Sequence, residues 1–142
     1  MSEQENNQAN QQPLVGGGRK VLIVEDDRFL LEIYATKLKN AGFEVEIAQD
    51  GESALSKIKE FKPVLLLLDI VLPKMDGFEV IKALKENPDL RDIKIIALTN
   101  LGQQNEVEKG LSLGAEDYFI KAHFTPGEIV FRVNKFLQEH GE

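Results

Sequence analysis

The chain has 142 residues and no cysteine. Disulfides and thiolate metal sites are thereby excluded, and a reducing cytoplasm is the expected compartment. Long apolar runs are missing too: the longest, Val64 to Leu68, is far too short to cross a bilayer. The N-terminus has no apolar stretch of signal-peptide type, so neither export nor membrane association is expected. Basic charge is in deficit. Seventeen Lys and Arg stand against 24 Asp and Glu, a net charge of −7, and no basic stripe interrupts that balance. A surface of this sign repels a nucleic-acid backbone, which argues against direct DNA or RNA binding.

What is present fits one domain with a real core, since hydrophobic residues make up 42% of the chain. Residues 1–18 are rich in Gln and Asn, contain Pro13 and end in Gly16-Gly17-Gly18. They have almost nothing to bury, so they are expected to form a disordered leader, with the folded domain over residues 19–142. From Lys20 onward, strand and helix patterns alternate five times. The strands are predicted at Val21–Val24, Phe43–Ala48, Val64–Leu68, Ile93–Leu98 and Tyr118–Ile120. Leu30, Ile33, Tyr34, Leu38 and Ala41 share one helical face, and Gly42 supplies a stop. Asp76 with Glu79 reads as a capping box. Thr125-Pro126-Gly127-Glu128 reads as another, ahead of an Ile129, Val130, Val133, Phe136, Leu137 stripe. The polar helix from Gln103 to Leu113 offers mainly Val107 and Leu111 to a core, and is expected to be the most mobile. This alternation predicts an α/β fold, with a parallel sheet covered by helices on both faces.

In a parallel sheet the strand C-termini share one edge, and ligands bind there. The residues just after the apolar runs are Glu25-Asp26-Asp27, Asp69, Thr99 and Lys121. Several acids, a hydroxyl and an ammonium should therefore converge. Crowded carboxylates raise one another's pKa unless a cation sits among them. All-oxygen ligands favour a hard divalent ion, with Mg²⁺ the usual choice beside phosphate. An aspartate can also act as a nucleophile toward phosphorus, with metal and ammonium neutralising the equatorial oxygens. Taken alone, Asp27 and Asp76 read as helix caps, and His123 and His140 as surface residues without partners at metal-ligand spacing.

The stretches Lys20-VLIVEDD, Asp69-IVLPKMDG, Ile96-ALT and Tyr118-FIK resemble the four signatures of the response-regulator receiver family, over about residues 19 to 140. The resemblance implies a flavodoxin-like (βα)5 doubly wound sheet; its strand order, 2-1-3-4-5, comes with the resemblance and not from spacing. It implies a chemotaxis-regulator-like stand-alone receiver, phosphorylated on Asp69 by a sensor histidine kinase or phosphotransfer protein. Glu25, Asp26, Asp69 and the Val71 carbonyl would hold Mg²⁺. Thr99 and Lys121 would contact the phosphoryl group, and Thr99 with Tyr118 would form the switch that reshapes the α4-β5-α5 face for an unidentified downstream protein. Such a protein is no turnover enzyme: it accepts phosphate and loses it by self-catalysis, and it is expected as a monomer or weak homodimer.

Two positions depart from the family pattern. Ala122 stands where Pro usually follows the lysine; a cis bond before Ala would cost roughly 2.5–4 kcal/mol, so a trans bond is expected. Asn100 stands where a small residue is usual after the switch threonine. Val71 and Leu101 would flank the site and slow attacking water. Rival readings are a flavodoxin-type cofactor binder, disfavoured because Glu25-Asp26-Asp27 would repel a phosphate, and an aspartate-nucleophile phosphatase, disfavoured because Val71 replaces its second Asp. A third is a phosphorylation-independent pseudo-receiver that only binds a partner protein.

Overall fold

In a computed structural model, which describes residues 16–100 and 104–140, strands and helices alternate as predicted. β1 spans Lys20–Val24, α1 Arg28–Asn40, β2 Glu44–Ala48, α2 Gly51–Phe61, β3 Leu65–Asp69, α3 Gly77–Glu86, β4 Lys94–Thr99, α4 Gln104–Leu113, β5 Asp117–Ile120 and α5 Pro126–His140. A 3-10 turn over Lys121–His123 leads into α5. Every strand pair is parallel and the sheet order is β2-β1-β3-β4-β5, the flavodoxin-like order that the resemblance implied. Strand ends shift slightly from expectation: Phe43, Val64 and Ile93 precede their strands, while Asp69 and Thr99 end theirs.

Side chains alternate across the sheet, so each apolar strand feeds two cores. Leu22, Val24, Leu66, Leu68, Ile95 and Ala97 face α2 and α3, whose Ile58, Val80, Ile81 and Leu84 cover them. Val21, Ile23, Leu65, Leu67, Ile96 and Leu98 face α1 and α5, meeting Leu31, Leu38, Ile129, Val133 and Phe136. The same parity continues past the strand ends. Glu25, Asp69 and Lys121 extend the α1/α5 face, whereas Thr99 and Tyr118 belong to the face of α2, α3 and α4.

Helix starts follow their caps. Asp27 accepts from the Phe29 and Leu30 amides, and the expected boxes form at Asp76–Glu79 and Thr125–Glu128. Three expectations need correction. The α1 stripe is Leu31, Tyr34, Ala35 and Leu38, the face that packs on the sheet, with Leu30, Ile33 and Ala41 only half-buried at its margins. In α4 Leu111 is 40% exposed; Val107 and Gly110 are buried instead, with the Phe78 ring close to Gly110 and the Lys109 ammonium over that ring. α4 thus has the least apolar burial of these helices. Gly16–Gly18, assigned by composition to the leader, belong to the fold: Gly16 N–H donates to Ala41 O and Gly18 N–H to Gly42 O. The rest of the leader, like Leu101, lies outside the described residues. His140 stacks on Phe136 with centroids 4.4 Å apart, and no cis peptide bond occurs among the described residues.

One close approach shapes the site edge. A Cβ on Gly77 would lie 2.7 Å from both Asp69 O and Ile70 Cα, and Gly77 N–H donates to Ile70 O at 2.9 Å. The start of α3 is thereby pressed against the end of β3. Gly77→Ala should destabilise the protein by about 1–3 kcal/mol through overpacking. Urea denaturation checks this, and an unchanged midpoint would show that the contact relaxes freely.

Candidate functional site

Glu25 leaves β1, Asp69 ends β3, Thr99 ends β4 and Lys121 follows β5, so parallel pairing alone brings them to one edge. Glu25, Asp69 and Thr99 are buried; Asp26 is exposed, and Lys121 is partly covered. Lys121 Nζ donates to Asp69 Oδ2 at 2.9 Å and lies 2.8 Å from Glu25 Oε1. Glu25 Oε1 is buried, and the Lys121 ammonium is its close ionic partner among the described residues. Glu25 Oε2 accepts from the Asp27 amide at 3.0 Å, and Asp69 Oδ1 from the Val71 amide at 3.1 Å. Carboxylate oxygens of Glu25, Asp26 and Asp69 lie within 4.8 Å of one another, close enough to share one cation. The Thr99 hydroxyl is buried and unpartnered among the described residues.

Charge crowding shows in the ionisation of these groups. The Glu25 carboxyl is raised to about 7, chiefly by burial; Lys121 opposes the shift, the Asp69 charge adds to it and the Asp27 amide opposes it. Burial would lower Lys121, but its contacts with Glu25 and Asp69 outweigh that and raise it.

The predicted residues Glu25, Asp26, Asp69, Thr99 and Lys121 all reach this edge. Tyr118 lies on β5 beside Ala97, two residues short of Thr99 in register, and is half-buried on the Thr99 face. Val71 is 55% exposed, and its amide, not anticipated from sequence, contacts Asp69. Ala122 and His123 are exposed in the turn after Lys121, and Asn100 is exposed beside Thr99. Two supports were missed. Gly77 is readable only once α3 is seen against β3. In the β3–α3 loop, Lys74 takes φ 66° and its ammonium lies 3.9 Å from Asp50, which caps α2.

A carboxyl whose folded pKa is raised binds its proton more tightly in the folded state. Its contribution to stability is full below the unfolded value of 4.5 and is lost as pH rises through about 7. In metal-free buffer, Glu25→Gln should therefore be more stable than wild type at pH 8, by up to about 3 kcal/mol. That advantage should vanish near pH 4.5. Thermal melts across this range check it, and a pH-independent difference would refute the burial account.

The described residues include no helix long and apolar enough to cross a membrane. The family model of the response regulator receiver domain matches residues 21–134. The chain is 38% identical over 120 residues to the alkaline phosphatase synthesis transcriptional regulatory protein PhoP of Bacillus subtilis, covering 84% of this chain and 48% of that protein. It spans about half the length of the curated relatives it matches. Among solved structures, a CheY-like response regulator receiver domain protein from Methanospirillum hungatei JF-1 superposes with TM-score 0.77 at 30% identity, covering 86% of this chain and 95% of that one. The Mn²⁺-bound form of response regulator Rcp1 gives TM-score 0.69 at 28% identity, covering 85% and 92%. With its sheet order, its edge of acids and lysine, and a family match over most of its length, this chain belongs to the response regulator receiver domain family.

Proposed function

We propose that Asp69 accepts a phosphoryl group from a histidine kinase or phosphotransfer protein, and that the domain converts this into a new binding surface. The observation that carries the reading is the Lys121 ammonium seated between Asp69 and Glu25, with Asp26 adjoining them at the strand ends. An Asp69 oxygen attacks phosphorus in line with the donor's imidazole nitrogen. The P–N bond breaks, the P–O bond forms, and the imidazole leaves with a proton. The Val71 amide holds the carboxylate's orientation. Lys121 pairs with a phosphoryl oxygen, and the unpartnered Thr99 hydroxyl donates to another.

The donor set fits a hard cation: three carboxylates offer oxygens within 4.8 Å of one another, with one ammonium among them. Glu25, Asp26, Asp69 and the Val71 carbonyl would hold it. Mg²⁺ there would supply positive charge to the phosphoryl oxygens. Rcp1, a response regulator of similar structure, takes Mn²⁺, in keeping with a divalent ion here.

Phosphate on Asp69 adds charge at the strand ends. Thr99 and Tyr118 share one sheet face, so movement of Thr99 toward the phosphate opens space for Tyr118 to turn inward. The α4-β5-α5 surface then changes, helped by the slight burial of α4. The protein acts as a stoichiometric acceptor that loses phosphate by self-catalysis, not as a turnover enzyme, and works in the cytoplasm. The receiver's own acidic charge disfavours direct contact with nucleic acid. It signals through a protein partner, as a monomer or weak homodimer.

Acetyl phosphate with Mg²⁺ should add one phosphoryl group by intact mass, and none without Mg²⁺ or in Asp69→Asn. Absence of any gain, with a histidine-kinase donor failing too, would leave a pseudo-receiver. Tyr118→Ala should keep the phosphoryl gain but weaken partner binding several-fold in pull-down titrations. Unaltered binding would remove Tyr118 from the switch.

A further inference from the structure

At the sheet edge opposite the acids, the chain enters β1 through Gly16-Gly17-Gly18-Arg19. Composition alone makes three glycines a flexible spacer, yet each meets a separate backbone demand. A Cβ on Gly16 would run into the Phe43 amide nitrogen and lie 2.6 Å from the Gly42 carbonyl carbon. Gly17 and Gly18 take φ of 58° and 74°, in the left-handed region. Gly16 N–H donates to Ala41 O at 2.6 Å and Gly18 N–H to Gly42 O at 2.8 Å. The segment is thereby laid against the α1–β2 turn.

Arg19 then reaches across to the last helix. Its Nε donates to Gly16 O at 3.0 Å, and its Nη2 to Asn134 Oδ1 of α5 at 3.1 Å. The same guanidinium lies 5.6 Å from the centroid of the buried Phe43 ring. The backbone of Arg19 is held as well: its amide donates to Gly16 O, and its carbonyl accepts from the Glu44 amide at 2.9 Å. One side chain thus ties together the entry segment, the α1–β2 turn and α5. Arginine suits the task, because its planar fork aims several donors in fixed directions and keeps a face for the ring. Both side-chain bonds are partly buried, and a charged donor makes them stronger than neutral ones.

We propose that Gly16–Arg19 is a strap that fastens α5 to the entry of the domain, so that a change in the chain ahead of β1 is felt at α5. The glycines fix its path, the turn carbonyls hold it down, and Arg19 passes the hold to Asn134. Loosening it releases the Asn134 flank of α5, while Ile129, Val133, Phe136 and Leu137 stay in the core. The strap stands independently of the phosphoacceptor reading, and its test uses unphosphorylated protein.

The first arm is a double-mutant cycle in the full chain, read by urea denaturation. Asn134→Ala should lower the folding equilibrium constant about fivefold more when Arg19 is present than in Arg19→Ala. The helix propensity gained with alanine is common to both backgrounds and cancels. Equal losses in the two backgrounds would overturn the fastening. The second arm follows the backbone amide NMR signals of α5. Gly16→Ala, which alters neither Arg19 nor Asn134, should move the signals around Asn134 in the same direction as Arg19→Lys does. Changes confined to residues 16–19 and 41–44 would overturn transmission to α5. If Gly16→Ala does not fold, Gly18→Ala takes its place, since a Cβ there has open space and only φ is strained.

Discussion

The site is organised by repulsion between carboxylates at one sheet edge, and by the single ammonium that offsets it. Glu25 and Asp69 are both buried, and carboxylates crowded at a poorly solvated edge repel one another unless positive charge lies near. Lys121 supplies part of that charge. Burial chiefly, with the Asp69 charge adding to it, raises the Glu25 carboxyl to about 7 even with that ammonium beside it. A divalent cation would complete the compensation, and a phosphoryl group would bring its own negative charge and compete for Lys121. A cation and a phosphoryl group would thus act on one shared electrostatic imbalance.

That imbalance is sustained by the layers below. Both cores clamp the strands from opposite sides, so their ends have little freedom to spread and relieve the repulsion. Gly77 brings α3 hard against the end of β3, and the Asp76–Glu79 box fixes where that helix begins. The Val71 amide fixes one oxygen of Asp69 while Lys121 takes the other. Asp69 is thereby held at both oxygens. Rigidity is uneven, however. α4 has little apolar burial, so the flank of the site carrying Thr99 and Tyr118 is cheaper to rearrange than the flank of α1 and α5.

Much of this was legible in the residues. Short β-branched and leucine-rich runs, separated by capped amphipathic stretches, specify parallel strands with helical crossovers, and parallel strands put their ends together. The acids, threonine and lysine stand directly after those runs, so their convergence follows from chain order. Caps such as Asp27, Asp76 and Thr125 are local, within three residues of the amides they satisfy, and so can be read directly. Errors arose where the deciding contact was distant. Leu111 has an ideal helical spacing yet faces solvent, because α4 seats Gly110 against Phe78 of α3. Gly16–Gly18 look like linker, yet the α1–β2 turn supplies hydrogen-bond partners for them.

By itself, then, the sequence determined the order and kind of elements, the acidic and cysteine-free chemistry, and the set of groups that would share an edge. These follow from local propensity, periodicity and chain order. Only the tertiary structure decided that Glu25 is buried while its neighbour Asp26 meets solvent, and that Lys121 bridges Glu25 and Asp69. It also decided that the hydroxyl of Thr99 is buried and left without a partner among the described residues. Burial, desolvation and pairing depend on what packs from other elements, and such distances are set only when the helices close over the sheet.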